Sequence, residues 1–413
     1  MAERNLDFDR AVNRRNTRCL KFDFAVKRGY PEDVLSLWVA DMDFRTSSYV
    51  EDALAELTRH NIYGYTNTQA GDGFFEAVSG WMKRHHHWHV DPTWHVKTPG
   101  VCFAIAAAIR AFTQPDDAVI IQQPVYYPFE RLIRINGRKA VSSDLVQGPD
   151  GRYTMDPDDF EQKIIRNNVK LFILCSPHNP VGRVWTAEEL RKIGRICGKH
   201  HVTVFSDEIH FDFAWQGEHH VFQEVEEAFR DFTVTATSPS KTFNLAGLQQ
   251  SNIFIPNPQL RCLFRREVDR TGYDEPTSFG IAAAQAAYEN GDEWYTAMKT
   301  YVADNLDFAC RFTREHLPGV TLRKPEGTYL AWLDFRSFGL RPAELEEIIV
   351  QRAKLWLDSG SIFGKAGEGF QRINAACPRS TLLEALERWN TRLTCDAGRR
   401  TETTDRAEKE NTE

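Results

Sequence analysis

No stretch of this 413-residue chain is long and apolar enough to span a membrane. The longest notable apolar run, Val101 to Ile109, stops at Arg110, far short of the roughly 20 residues a span requires, and reads as a buried helix instead. Nor does one sign of charge dominate. Lys and Arg number 51 against 58 Asp and Glu, a net charge of -7 spread along the chain, which gives no electrostatic footprint for nucleic acid or an anionic membrane. Met1 to Arg15 carries charges throughout and lacks the apolar core of a secretory signal, so a cytoplasmic setting is expected. The eight cysteines include no C-x-x-C pair, and several sit in apolar runs as small hydrophobes do; free thiols are expected. Small-molecule chemistry is the function class left by these exclusions.

What is present is a globular composition, 42% hydrophobic and 26% charged, in a chain long enough to bury roughly 75% of its unfolded surface. Short apolar runs with strand character recur at 118–121, 171–175, 202–205, 232–237 and 252–255, most of them separated by helix-length stretches. Between Thr186 and His200, a capping threonine precedes acidic first-turn residues and an apolar stripe of Leu190, Ile193 and Ile196, the pattern of an amphipathic helix. This alternation predicts an α/β fold with a mainly parallel, doubly wound sheet, whose ligand sits beyond the carboxyl ends of the strands.

After about residue 290 the pattern changes to long amphipathic segments, 294–316 and 342–355, around a candidate strand at 328–334. The expected division is a large domain over 45–289 and a smaller α+β domain built from 1–44 and 290–395. Residues 396–413, rich in Thr, Glu and Arg without an apolar residue larger than Ala, are expected to be a disordered tail.

Four polar elements follow four of the apolar runs: Gln122-Gln123-Pro124-Val125-Tyr126-Tyr127-Pro128, Ser176-Pro177-His178-Asn179-Pro180-Val181-Gly182, Ser206-Asp207-Glu208-Ile209-His210, and the stretch from Ser238 to Leu248 containing Lys241. An aromatic, an amide, a carboxylate and a lysine are thereby brought to one sheet edge. Together with W-V-A-D-M-D-F from Trp38, K-P-E-G-T-Y-L from Lys324 and R-I-N-A-A-C-P-R-S from Arg372, these motifs resemble the fold-type I pyridoxal-phosphate enzymes of the class I/II aminotransferase-like superfamily. Within it they resemble the cystathionine beta-lyase type of carbon-sulfur lyase, over about residues 7 to 393.

The resemblance implies pyridoxal 5'-phosphate as cofactor and a role for each matching residue. Lys241 would form the Schiff base and act as base at the substrate α-carbon; an isolated lysine in such a loop would simply be solvated. Asp207, ending an apolar strand, would pair with the protonated pyridine nitrogen, where a lone Asp is more often a cap or loop carboxylate. Asn179 would donate to the ring's 3-oxygen, with an Asn-Pro turn aiming it. Tyr126 would stack on the ring. Gly100, Val101 and Cys102 at a helix start, with Ser238 and Ser240, would hold the phosphate, and Tyr65 would reach it from the neighbouring subunit of a homodimer. Arg372 would clamp the substrate carboxylate, and Trp38, Val39 and Ala40 would line the substrate side, although Trp38 is equally suited to a core. His210 stands where aminotransferases of this fold carry a tyrosine, and favours lyase over transaminase.

The sequence departs from the family pattern at Ser176, at Thr277 and Ser278 after Pro276, and at Ser47 and Ser48. His85-His86-His87, with His89 and His95 nearby, invites a metal site, but no carboxylate or thiolate accompanies the run and adjacent helix residues do not share a face; an exposed helix end is expected. The activity expected is beta-elimination of L-cystathionine or L-cysteine S-conjugates to a thiol, pyruvate and ammonia. The rivals are an aminotransferase acting on an L-amino acid and a catalytically silent binding or regulatory module.

Overall fold

The computed structural model describes residues 2–66, 71 and 73–391. The apolar runs assemble into a seven-stranded sheet in the order Lys139–Ser142, Ala118–Ile121, Leu171–Cys175, Thr203–Asp207, Thr233–Thr237, Ser251–Phe254, His95–Thr98. The first five of these strands pair in parallel, whereas Ser251–Phe254 runs antiparallel to both its neighbours. Leu171–Cys175 and Thr233–Thr237 are buried along their whole length, because helices cover both faces of such a sheet; Leu171–Cys175 is accordingly a continuous apolar run. Val101–Phe112 and Ala187–Lys199 are two of those helices. The second starts as its sequence requires: Thr186 Oγ1 accepts from Glu189 N–H, while the Glu189 carboxylate accepts from Thr186 N–H.

A four-stranded antiparallel sheet, ordered Thr321–Leu322, Leu330–Asp334, Phe370–Asn374, Asp358–Ser359, accompanies the long helix Asp292–His316. The amino-terminal segment is tied to this part of the molecule. Leu35–Ser36 pairs in parallel with Leu355–Trp356, Leu37 N–H donates to Trp356 O at 2.9 Å, and Asn374 N–H donates to Leu37 O at 2.9 Å. Two parts of the chain far apart in sequence thereby hold Trp38, Val39 and Ala40 against the carboxyl edge of the large sheet.

Several expectations need correction. The stretch 342–355 is not one helix: α-helix Pro342–Glu347 widens into a π turn at Ile348–Arg352, and Lys354, at φ 55°, turns the chain into the Leu355–Trp356 strand. The strand expected from 328 starts at Leu330, since Thr328 takes a left-handed φ of 66°. The histidine run is not simply an exposed helix end. His86 is buried against Asp212 at 2.7 Å, His85 is half-buried on Asp292, and His87 alone of the three is exposed as it closes the helix.

Two departures from the family pattern have a local explanation, because Ser47 and Thr277 each accept a backbone N–H at a helix start. The described cysteines carry free thiols. Cys395 and the expected tail at 396–413 lie outside the described residues. Among the described residues no helix is long and apolar enough to cross a membrane.

Candidate active site

The carboxyl ends of the parallel strands open onto a cavity of about 370 Å³. Tyr126 comes from the loop after Ala118–Ile121, Asn179 from the loop after Leu171–Cys175, and Asp207 and His210 from the end of Thr203–Asp207. Ser238, Ser240 and Lys241 follow Thr233–Thr237, while Gly100, Val101 and Cys102 open the helix after His95–Thr98. Arg372, on the smaller sheet, and Trp38, Val39 and Ala40 complete the wall. Tyr65 is the one expected site residue that does not face this cavity; it is 98% exposed.

Lys241 sits on the short helix Pro239–Thr242. Ser238 shapes its start, its Oγ accepting from Ser240 N–H at 3.1 Å and donating to Gln250 O at 2.7 Å. The lysine Nζ donates to Ala40 O at 2.7 Å, an oxygen that also accepts from the Tyr329 hydroxyl. Enclosure within the cavity, opposed by Asp41 and reinforced by the Arg372 charge, brings the amine down to about 8. Behind it, Thr242 donates to Asp212, which also accepts from Trp81 Nε1 at 3.1 Å and meets His86. This buried carboxylate anchors the lysine's helix.

Asp207 is 5% exposed and receives a hydrogen bond from Ile209 N–H at 3.3 Å. No cationic side chain is bonded to it among the described residues, and burial raises its carboxyl to about 7. Asn179 has one side engaged: its Oδ1 accepts from Arg372 Nη1 at 2.8 Å. Arginine can only donate, so the Asn179 oxygen must face it and the amide N–H₂ remains for the cavity. Arg372 Nη2 also donates to Trp38 O at 2.8 Å and meets the Asp358 carboxylate. His210, buried and with Nδ1 unpartnered, is held well below the usual histidine range by burial and by the Lys241 and Arg372 charges, which keeps the imidazole neutral. At the opposite end, Gly100 takes φ 100° immediately before the twelve-residue helix Val101–Phe112. Nothing would crowd a Cβ there, so backbone conformation is what selects glycine.

These groups fit pyridoxal 5'-phosphate. An uncompensated buried carboxylate matches a pyridinium nitrogen, the free Asn179 amide matches a phenolic oxygen, a helix start with open backbone N–H groups matches a phosphate, and an enclosed amine near neutrality matches an aldehyde. A consequence can be measured. Only the uncharged amine attacks an aldehyde, and Asp207 attracts a cation only when ionised. The rate at which visible absorbance grows after pyridoxal phosphate is added to cofactor-free protein therefore rises with pH through about 7 and levels off above about 8. A rate that falls over that range contradicts these protonation states.

Sequence reasoning missed Asp358, which lines the cavity and binds Arg372, and gave no role to Tyr127, which also lines it. It also passed over Asp212. Asp358 follows the apolar run Leu355-Trp356-Leu357, the same signal that singled out Asp207.

Residues 32–388 match the family described as aminotransferase class I and II. Cystathionine beta-lyase PatB of Bacillus subtilis is 41% identical over 384 residues, which cover 93% of this chain and 98% of PatB. The crystal structure of cystalysin from Treponema denticola, which contains pyridoxal 5'-phosphate, superposes with a TM-score of 0.90 at 38% identity, covering 94% of this chain and 98% of that one. A pyridoxal-phosphate-bound C-S lyase from Staphylococcus hominis, complexed with the inhibitor L-cycloserine, gives 0.87 at 32% identity, with coverage of 94% and 98%.

Proposed function

This chain belongs to the aminotransferase class I and II family, and we propose that it is a pyridoxal-phosphate-dependent carbon-sulfur beta-lyase converting L-cystathionine or L-cysteine S-conjugates to a thiol, pyruvate and ammonia. The observation that carries the reading is the convergence of Lys241, an unpaired buried Asp207 and Arg372 on one cavity, in a chain 41% identical to a cystathionine beta-lyase. When bound, pyridoxal phosphate supplies an electron sink for negative charge developing at the substrate α-carbon.

The chain's own residues supply the rest. Arg372 holds the substrate α-carboxylate through its guanidinium fork, and Asn179, bonded to the same guanidinium, keeps that fork in place. Lys241 Nζ, near neutrality, removes the proton from the α-carbon. Asp207, when ionised, would hold the ring nitrogen of the bound cofactor and favour its protonated form. His210, neutral and small where a tyrosine would stand in an aminotransferase, and the Tyr126 ring border the cofactor space. Tyr65 belongs to the same reading as a contribution to the site of a second copy in a homodimer, supported by its exposure beside Pro276 and Thr277 on the chain's surface. The division into a cofactor-holding unit at 45–289 and a smaller unit at 1–44 and 290–395 is supported by the separation of the seven-stranded from the four-stranded sheet. A cytoplasmic setting is supported by the free thiols.

Elimination and transamination share the same α-carbon deprotonation, so the test is the need for an acceptor. With an S-alkyl-L-cysteine the thiol is released over many turnovers, at a rate unchanged by an added 2-oxo acid. No thiol, with one equivalent per site of the substrate's own 2-oxo acid formed and further turnover only when another 2-oxo acid is added, assigns the protein to the aminotransferases instead.

A further inference from the structure

The proposed reaction gives no task to Arg28, a cation lying against the cavity-lining Trp38. Arg28 ends the short 3-10 turn Val26–Arg28 and is exposed. Its guanidinium carbon lies 5.1 Å from the Trp38 ring centroid and 5.8 Å from that of Trp356. Those two rings stack at 4.7 Å, and Tyr30 stacks on Trp356 at 4.2 Å, so the arginine lies on a rigid aromatic platform. Trp38 also lines the cavity, whose wall includes Leu20 and Tyr127. The Arg28 charge reaches that wall: with Arg372 it pulls the Tyr127 hydroxyl down, against the larger effect of burial.

Two other arginines near the site are engaged with carboxylates. Arg14 holds Asp41 and Asp43, and Arg372 meets Asp358. Arg28 differs. Among the described residues its guanidinium has no carboxylate in ion-pairing reach and donates no hydrogen bond; its contacts are the two tryptophan faces. A guanidinium laid over an aromatic plane keeps its N–H edges free for a second partner. In the lyase reading, a substrate with its α-carboxylate on Arg372 and its α-carbon beside Lys241 leaves the Trp38 and Tyr127 side of the lining for the sulfur substituent.

Building on the lyase reading above, we propose that Arg28 binds a carboxylate on the thiol half of the substrate. The preferred substrate class is then L-cysteine S-conjugates whose leaving thiol carries a distal carboxylate, over neutral S-substituents of the same length. Cystathionine satisfies this requirement; an S-alkyl cysteine does not.

The test compares S-(2-carboxyethyl)-L-cysteine with its neutral primary amide on the holoenzyme. Two readouts are followed: kcat/KM for thiol release, and the concentration dependence of the change in the cofactor's visible spectrum. The wild type favours the acid by about fivefold, the scale of a partly exposed ion pair, and the difference resides in KM. Arg28→Gln brings the acid-to-amide ratio to about 1, and Arg28→Lys retains part of the preference. Raising the salt concentration narrows the wild-type ratio. A ratio left intact in Arg28→Gln overturns the proposal, because the arginine then only covers the tryptophans. So does a wild type indifferent to the acid. If the spectrum responds to both compounds with the expected preference while no thiol appears, the anion site stands and the lyase reading fails.

Discussion

Lys241→Ala loses thiol and pyruvate release, with turnover falling by more than about 10³-fold, because one amine serves both as covalent anchor and as base at the α-carbon. The variant also fails to acquire the visible absorbance of lysine-linked pyridoxal phosphate. Global unfolding does not explain the loss: the wild-type amine makes a single hydrogen bond, to Ala40 O, and its helix is held from behind by the contact of Thr242 with Asp212. Far-ultraviolet circular dichroism and the denaturation midpoint should therefore remain near wild type. A Lys241→Ala protein with full turnover would show that the reaction does not run through this site.

Asp207→Asn produces the next largest loss, about 10² to 10³-fold in turnover, the scale of removing one preorganised charge from the reacting centre. The substitution is nearly isosteric and preserves an acceptor for Ile209 N–H, so the strand end retains its shape. What disappears is the anion that stabilises a protonated ring nitrogen. The carboxyl, raised to about 7 by burial in the cofactor-free protein, is ionised above that pH, and a bound cation draws the transition downward. Wild-type protein accordingly retains pyridoxal phosphate on dialysis at mildly acidic pH better than Asp207→Asn does. Turnover of Asp207→Asn within about twofold of wild type would remove Asp207 from the chemistry.

Much of this site was legible in the sequence for a physical reason. In a parallel sheet covered on both faces, strands are continuous apolar runs, so a polar residue directly after such a run marks the edge where ligands bind. Asp207, at a strand end, and Asn179, Tyr126 and Lys241, within five residues after one, are all at this edge. Arg372 is not: it lies inside a buried strand, Phe370–Asn374, and only the resemblance of the R-I-N-A-A-C-P-R-S stretch singled it out. Asp358 meets the edge criterion and was passed over, because the segment 342–355 before it reads as one helix until Lys354 reverses the backbone.

The remaining errors come from pairings between distant parts of the chain. His86 sits in a polar run that looks solvated, yet Asp212, from beyond the end of Thr203–Asp207, buries it. Arg28 belongs to an irregular segment with no periodic signal. Its place against Trp38 and Trp356 depends on the pairing of Leu35–Ser36 with Leu355–Trp356, a contact that neither local pattern encodes.

The assignment stands or falls on the stoichiometry of one reaction, that of the pyridoxal-phosphate-loaded protein with L-cystathionine under anaerobic conditions and without any 2-oxo acid acceptor. Thiol, pyruvate and ammonia appearing in equal amounts over many turnovers, with the cofactor's visible band restored at the end, is the predicted result. A band that shifts on adding the amino acid but returns neither thiol nor pyruvate beyond one equivalent per site would contradict beta-elimination.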